Sequence, residues 1–301
     1  MKQIKNNKNY LLLKNWWENI DLTNYEKSFF NREIISFNQQ LFRLKEKKIR
    51  IGVYGKSGVG KSSVLNSLLE KDIFKTNIIN GTTREIQSEL WTLKDQTLRS
   101  IELLDSPGFD FCNIKSSDKV YSCINHSDLV LFLVSGDVNR NELNKISSLI
   151  KDGKKIIIIL NKIDLFNKND LKEIKENIKS KLPNDLNIPI ILNKGINLKN
   201  YLTKIINQYG EIFLTLNSLQ LADKLFLKIK KQRLKRRQKL AQSTIGKFST
   251  IKASAVALNP FILFDVAGSF AIDAALIREL SKIYGLNLKG ESSRRIFKNI
   301  S

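Results

Sequence analysis

The chain contains few of the residues that build metal clusters or disulfide frameworks. Its 301 residues include one histidine, His126, and two cysteines, Cys112 and Cys123. These three side chains match neither the ligand spacing of a zinc site nor a set of paired cysteines. We therefore expect both thiols to be reduced and to have a structural role.

Proline is scarce as well, and no long low-complexity linker is present. The length exceeds that of a usual domain, so we expect one full core with an appended unit. The first ten residues are polar, and the apolar run at 11–13 is too short for the core of a signal peptide. Without a signal-peptide core, we expect the protein to be cytoplasmic.

Acidic residues are few relative to basic ones: 29 against 51, for a formal net charge of +22. A field of this size attracts polyanions such as nucleic acid or anionic lipid. The chain is also rich in Lys, Asn and Ile, a combination that a compositionally biased genome produces at tolerant surface positions. Part of the positive charge can therefore be without function. The position of the charges therefore matters more than their total.

The apolar pattern divides the chain into three regions: a helical extension at 1–48, a central domain at 49–210 and a basic helical domain at 211–301. In the first region we expect Trp16 and Trp17 to pack internally, although a membrane-interface anchor is an alternative. The central region alternates short apolar runs with helices, which predicts an α/β fold with a mostly parallel sheet between helices, including one hairpin around Asp95 and Gln96. The predicted strands are 49–54, 90–93, 98–104, 129–135, 155–161 and 188–192.

The first strand leads into a segment that fits G-x-x-x-x-G-K-[ST] and opens a helix at 61–69. Glycines let backbone N–H groups close around phosphate oxygens, and the helix N-terminus adds its positive dipole. Lys61 should reach the β and γ phosphates as a catalytic group, and the Ser62 hydroxyl should ligate Mg²⁺. The predicted phosphate-binding residues are Gly55, Lys56, Ser57, Gly58, Val59, Gly60, Lys61, Ser62 and Ser63.

The segment Asn161-Lys162-Ile163-Asp164 follows the apolar strand 155–160 and has the form N-K-x-D. A carboxylate at Asp164 can accept hydrogen bonds from the ring N–H and the exocyclic amine of guanine, whereas adenine would leave it unpaired. Asn161 should bond the other edge of the base, and the Lys162 stem should lie across its face. Together with the phosphate loop, this segment predicts a site for GTP or GDP.

Two further segments are predicted to sense the terminal phosphate. Asp105-Ser106-Pro107-Gly108 ends a strand, so Asp105 can hold Mg²⁺ through water, and the Gly108 N–H can contact the γ phosphate as a catalytic donor. Upstream, the turn at 81–85 contains Thr82 and Thr83. We expect Thr83, in preference to Thr82, to complete the Mg²⁺ shell and act in catalysis.

These four motifs resemble the Era/TrmE and dynamin-like division of the translation-factor-related P-loop GTPases, over about half of the chain. The phosphate loop is also similar to those of dynamin-related immunity GTPases. Three positions depart from the family pattern. Phe109 replaces the glutamine that orients water, which implies slow hydrolysis with help from elsewhere in the chain, a partner subunit or a cation. Gly58 replaces the asparagine of potassium-dependent relatives. The fifth motif is recognisable only by position at 191–195, so we expect its base contact to come from backbone groups.

The last third combines a basic helix at 219–252 with an apolar segment at 253–280. Cations clustered beside an apolar stretch favour an anionic surface, either lipid headgroups or RNA. The apolar segment contains Pro260, Asp265 and Asp273, which are costly for a simple membrane span, so a soluble helix pair and a membrane-associated hairpin broken at Pro260 are equally good predictions. The region is similar to an uncharacterised helical domain found behind Era-like GTPase domains and considered membrane-associated.

The sequence therefore predicts a Mg²⁺-dependent GTPase that acts as a nucleotide switch, with a peripheral or integral position at the inner face of a membrane. GTP should order the loops around Thr83 and Gly108, and this change should reach both flanking helical regions. The predicted partners are GTP, an anionic membrane through residues 219–280, and a second copy of the chain. An Era-like RNA or ribosome-associated assembly GTPase is the alternative, which the absence of an aromatic basic platform disfavours.

Overall fold

The computed structural model describes residues 8–74, 86–92, 100–110, 120–121, 124–183, 186–258 and 262–285. The chain divides into two compact units, residues 1–223 and 224–301. The boundary predicted at residue 210 thus falls inside the first unit, which also contains the N-terminal extension.

The first unit is built on a six-stranded sheet with the order β2-β3-β1-β4-β5-β6. Among the strands of the described residues, only β2 is antiparallel to its neighbour, and the other pairs are parallel. The predicted α/β fold with a mostly parallel sheet is therefore confirmed, whereas Asp95 and Gln96 lie outside the described residues. The strands are β1 (Lys48–Gly55), β2 (Gln87–Trp91), β3 (Ser100–Asp105), β4 (Leu129–Val134), β5 (Ile156–Leu160) and β6 (Ile190–Leu192).

The central strands form the core because helices cover both of their faces. Every residue of β4 and β5 is buried, and their sequences LVLFLV and IIIIL are rich in residues that favour buried strands. One face packs against helix α4 (Lys61–Leu69) and the other against α5 (Arg140–Lys151) and α6 (Lys168–Lys181).

The described part of the N-terminal extension, from residue 8 onward, forms three helices: α1 (Lys8–Glu18), α2 (Asn24–Phe29) and α3 (Asn31–Glu46). The break before α2 has a local cause, since the Thr23 side chain accepts from the Glu26 amide and the Glu26 side chain accepts from the Thr23 amide. The rings of Trp16 and Trp17 lie 6.1 and 5.2 Å from that of Phe37 in α3. Both tryptophans therefore pack internally, as predicted.

Two long helices follow the sheet: α7 (Ile196–Leu258) and α8 (Ile262–Tyr284). No proline interrupts residues 196–258, which allows α7 to continue past residue 210. In the second unit Lys252 on α7 donates to both carboxylate oxygens of Asp273 on α8, at 3.0 and 2.8 Å. Pro260 lies outside the described residues. Within the described part of the chain, no helix is both long and apolar enough to cross a bilayer.

Candidate nucleotide-binding site

The predicted motifs lie at the carboxyl ends of neighbouring strands. β1 ends at Gly55, and β3, which pairs with it, ends at Asp105. On the other side of β1, β4 connects it to β5, which ends at Leu160 directly before Asn161. The sheet order therefore brings the phosphate-loop, Asp105 and N-K-x-D motifs to one edge, where ligands of parallel sheets bind.

The phosphate loop needs glycine where its backbone turns before α4. Gly60 has a φ of 89°, a left-handed conformation that side chains rarely adopt. A Cβ at this position would also lie 2.4 Å from Asn161 Nδ2. Within the loop Val59 is buried, whereas Gly58 and Ser63 are exposed. Gly60 therefore lets the loop lie directly against the predicted base-recognition motif.

The Lys61 side chain is buried within the phosphate loop, where it is predicted to contact the β and γ phosphates. Its Nζ donates to the carbonyl oxygens of Gly55 at 3.2 Å and Lys56 at 2.7 Å. The Lys56 ammonium lies 3.5 Å from the buried carboxylate of Glu142 on α5. This arrangement holds the Lys61 cation over the start of the loop, within the region where phosphates bind in P-loops.

Ser62 and Asp105 provide the oxygen ligands that Mg²⁺ prefers. The Ser62 hydroxyl donates to Asp105 Oδ2 at 2.6 Å, and Asp105 is fully buried at the end of β3. A hydroxyl and a carboxylate at this spacing form a hard donor set that fits Mg²⁺. Thr82 and Thr83, the other predicted contributors, lie outside the described residues.

The base-recognition motif is connected to two other segments. Asn161 Nδ2 donates to the carbonyl oxygen of Val59 at 2.8 Å, and Asn193 Nδ2 donates to Asn161 Oδ1 at 2.7 Å. Asp164 and Lys162 are exposed and accessible to a base. The Asn193 side chain was missed from the sequence, where only backbone groups were expected from 191–195. Its position directly after β6 was the available signal.

Phe109 is turned toward the protein core. Its ring lies 5.4 Å from that of Tyr54 and 6.3 Å from that of Phe132, and its amide donates to the carbonyl oxygen of Gly55 at 3.4 Å. Gly108 before it is buried, and Ser106 donates to the carbonyl oxygen of Val53 at 2.6 Å. The chain thus supplies an anchored aromatic ring where a glutamine would orient water.

Two family descriptions match separate segments of the chain. Residues 50–162 match the family described as 50S ribosome-binding GTPase. Residues 220–301 match a domain of unknown function, DUF697.

Curated relatives each match about half of the chain or less. Similarity is found to the tRNA modification GTPase MnmE of Desulforamulus reducens, with 35% identity over 41% of this chain and 27% of the relative. GTPase Der of Buchnera aphidicola is 31% identical over 46% of this chain and 32% of its own length. GTPase Era of Borreliella afzelii is 32% identical over 53% of this chain and 56% of its own length.

The chain thus spans about a quarter to just over half of the length of these relatives. The segment that matches the GTPase family, residues 50–162, contains the phosphate loop, Asp105 and the start of the N-K-x-D motif, which the structure gathers at one edge of the sheet. Residues 50–162 therefore form a P-loop GTPase domain related to those of Era, MnmE and Der, and a DUF697 domain follows it.

Proposed function

We propose that the protein binds GTP with Mg²⁺ and hydrolyses its β-γ phosphoanhydride as the step of a nucleotide switch. The observation that carries this proposal is the convergence of the Lys61 ammonium, the Ser62–Asp105 oxygen pair and the Asn161–Asp164 motif at one sheet edge. Each group matches a different part of the nucleotide: the phosphates, the metal and the guanine base.

The chain's own groups have separate roles in this reaction. Lys61 stabilises charge on the transferred phosphoryl group, and backbone donors of the phosphate loop and Gly108 hold its oxygens in line for attack by water. The bond from the γ phosphorus to the bridging oxygen breaks, which yields GDP and phosphate. A Mg²⁺ ion held by Ser62 and Asp105, with Thr83, would neutralise phosphate charge.

Phosphate release from GTP tests this proposal. We expect turnover with GTP and Mg²⁺, little with ATP, and a loss of about a hundredfold or more in Lys61→Ala. Lys172→Ala is a matched control because Lys172 is exposed on α6 and belongs to none of the predicted nucleotide-binding motifs. Equal turnover of GTP and ATP, or an unaffected Lys61→Ala variant, would contradict the proposal.

We further propose that the switch acts at an anionic membrane surface to which α7 binds. Leu227, Leu234 and Ile245 are 53%, 60% and 44% exposed. At about 100° per helical residue they fall within about 20° of one another and form an apolar row along the helix. Lys231 and Lys235 flank this row on one side, and Lys230 and Arg237 on the other; all four are exposed.

A helix face of this kind suits a lipid headgroup region, because leucine side chains enter the acyl boundary while flanking cations contact anionic headgroups. RNA is the second candidate, since the matched family is described as ribosome-binding and one relative as a tRNA modification enzyme. RNA would use the cations but would gain little from the exposed Leu227 and Leu234. The apolar row therefore favours the membrane.

Two variants separate these partners. Leu227→Ser with Leu234→Ser should reduce cosedimentation with vesicles of phosphatidylglycerol and phosphatidylcholine about tenfold and leave RNA retention unchanged, because only lipid uses the apolar row. Lys230→Glu with Arg237→Glu should weaken binding to either polyanion. Lys172→Glu with Lys175→Glu on α6 makes the same charge change away from α7 and is the control. RNA retention without vesicle binding would overturn the membrane proposal in favour of RNA.

A further inference from the structure

Asp110 binds the phosphate loop from the segment that follows β3. The Ser57 amide donates to Asp110 Oδ1 at 2.7 Å, although the two residues are 53 positions apart. Ser57 is the third residue of the phosphate loop, and Asp110 lies two residues beyond Gly108. An anionic side chain thus accepts a hydrogen bond from a backbone amide of the phosphate loop, whose amides bind phosphate oxygens.

The two residues before Asp110 lie close to the phosphate loop and bring Asp110 to Ser57. A Cβ at Gly108 would lie 2.4 Å from the Ser57 nitrogen and 2.8 Å from Asp110 Oδ1. Only glycine therefore allows the two loops to approach this closely. The Phe109 amide donates to the Gly55 carbonyl oxygen, and its ring packs against Tyr54. Asp110 is held at Ser57 by these neighbours.

The Asp110 carboxylate and the γ phosphate of GTP cannot both accept from the Ser57 amide. Both are anions that accept from backbone amides, so they compete for the same donor and repel each other at short distance. The segment around Gly108 is the one that responds to the γ phosphate in GTPases. The β phosphate of GDP lies farther along the loop, toward the N-terminus of α4. Competition from Asp110 therefore weakens the binding of GTP more than that of GDP.

We propose that Asp110 sets the preference between GDP and GTP. Its carboxylate binds the Ser57 amide beside GDP and leaves this donor when the γ phosphate enters. Binding of GTP thereby moves the segment at 108–110, and the cost of displacing Asp110 lowers the affinity for GTP relative to GDP. This inference rests on the proposed guanine-nucleotide binding and adds a residue that discriminates between its two ligands.

Nucleotide titrations of three variants test this role. Asp110→Asn keeps the size of the side chain but removes its charge, Asp110→Ala removes the acceptor as well, and Glu18→Gln removes an exposed carboxylate on α1 as a control. Dissociation constants are measured for GDP and for a non-hydrolysable GTP analogue with Mg²⁺. Both Asp110 variants should lower the ratio of the analogue's constant to that of GDP by about three- to tenfold, the effect of losing one charge-assisted hydrogen bond at an exposed site.

The GDP constant also reports folding, since it should stay within about twofold of the wild-type value when the loop is intact. An unchanged or increased ratio in both Asp110 variants, with GDP binding retained, would overturn this inference and leave the proposed function standing. Failure of the wild-type protein to bind either nucleotide would instead overturn the proposed function. A shift of the same size in Glu18→Gln would show that surface charge, and not the contact with Ser57, sets the ratio.

Discussion

The guanidinium of Arg43 donates to the carboxylate of Asp128 at 2.8 Å, and the Asp128 side chain is fully buried. Arg43 belongs to α3 and Asp128 precedes β4, so the pair joins the N-terminal extension to the amino edge of the sheet. Gln40 on α3 and Asn217 on α7 also donate to Asp128, at 3.2 and 2.7 Å. Burial lowers the pKa of Arg43, and the adjacent Asp128 carboxylate opposes this shift.

Removal of Arg43 should destabilise the first unit strongly. Arg43→Met leaves the buried Asp128 carboxylate without its cation, which we expect to cost about 3–5 kcal/mol in the free energy of unfolding. Lys47→Met is the control, because the side chains of the Lys47–Glu211 ion pair are 31% and 47% exposed, so that water screens the pair and it should contribute less than about 1 kcal/mol. Urea denaturation of both variants measures the difference. Equal losses would show that the buried pair has no special role.

Asp164→Asn should change the base that the site prefers. Guanine offers two donors to the carboxylate, whereas xanthine has a carbonyl oxygen in place of the exocyclic amine. An asparagine amide can donate to that oxygen and accept from the ring N–H. We expect GTP affinity to fall by about a hundredfold and xanthosine triphosphate affinity to rise, as measured by competition. Asp223→Asn changes an exposed aspartate on α7 and is a control of the same chemistry. Retention of the guanine preference by Asp164→Asn would contradict the assigned role.

Ser62→Ala should reduce the dependence of nucleotide binding on Mg²⁺. The variant loses one predicted metal ligand and the hydroxyl that lies beside Asp105, so GTP affinity in Mg²⁺ should fall by about tenfold or more. In excess chelator the variant and the wild type should bind similarly. Ser67→Ala changes an exposed serine on the same helix and should behave as wild type. An equal loss with and without Mg²⁺ would indicate a defect of the loop and not of the metal site.

The strands and the motifs at their ends could be predicted because each depends on a local signal. Apolar runs marked β1 and β4, and the glycine pattern marked the phosphate loop. The pairs Asn193–Asn161, Ser57–Asp110 and Arg43–Asp128 could not be predicted, since their members are 32, 53 and 85 positions apart. Polar residues of this kind are common on surfaces. Only the strand order determines which of them meet.

Asn193→Ala should weaken guanine-nucleotide binding without changing base preference. Asn193 orients Asn161 through the 2.7 Å hydrogen bond, and Asn161 in turn contacts the phosphate loop at Val59. Its loss should reduce both GTP and GDP affinity by about three- to tenfold, as expected for one partly buried hydrogen bond. Asn177→Ala on the exposed side of α6 is the matched control. A variant with a changed ratio of guanine to xanthine binding would assign Asn193 a direct contact with the base.

GTP turnover per molecule should rise with protein concentration. Phe109 is anchored between Tyr54 and Phe132, so this position offers no polar group to orient the attacking water. Activation must then come from another segment, a second copy of the chain or a cation. If a second copy activates the site, specific activity should increase severalfold as the protein concentration passes the dissociation constant of the dimer, in parallel with the mass measured by light scattering. A flat concentration response at saturating GTP would exclude dimer activation.

Phe109→Gln should not raise the rate at low protein concentration. Its backbone amide still donates to Gly55, and the variant loses the packing of the ring.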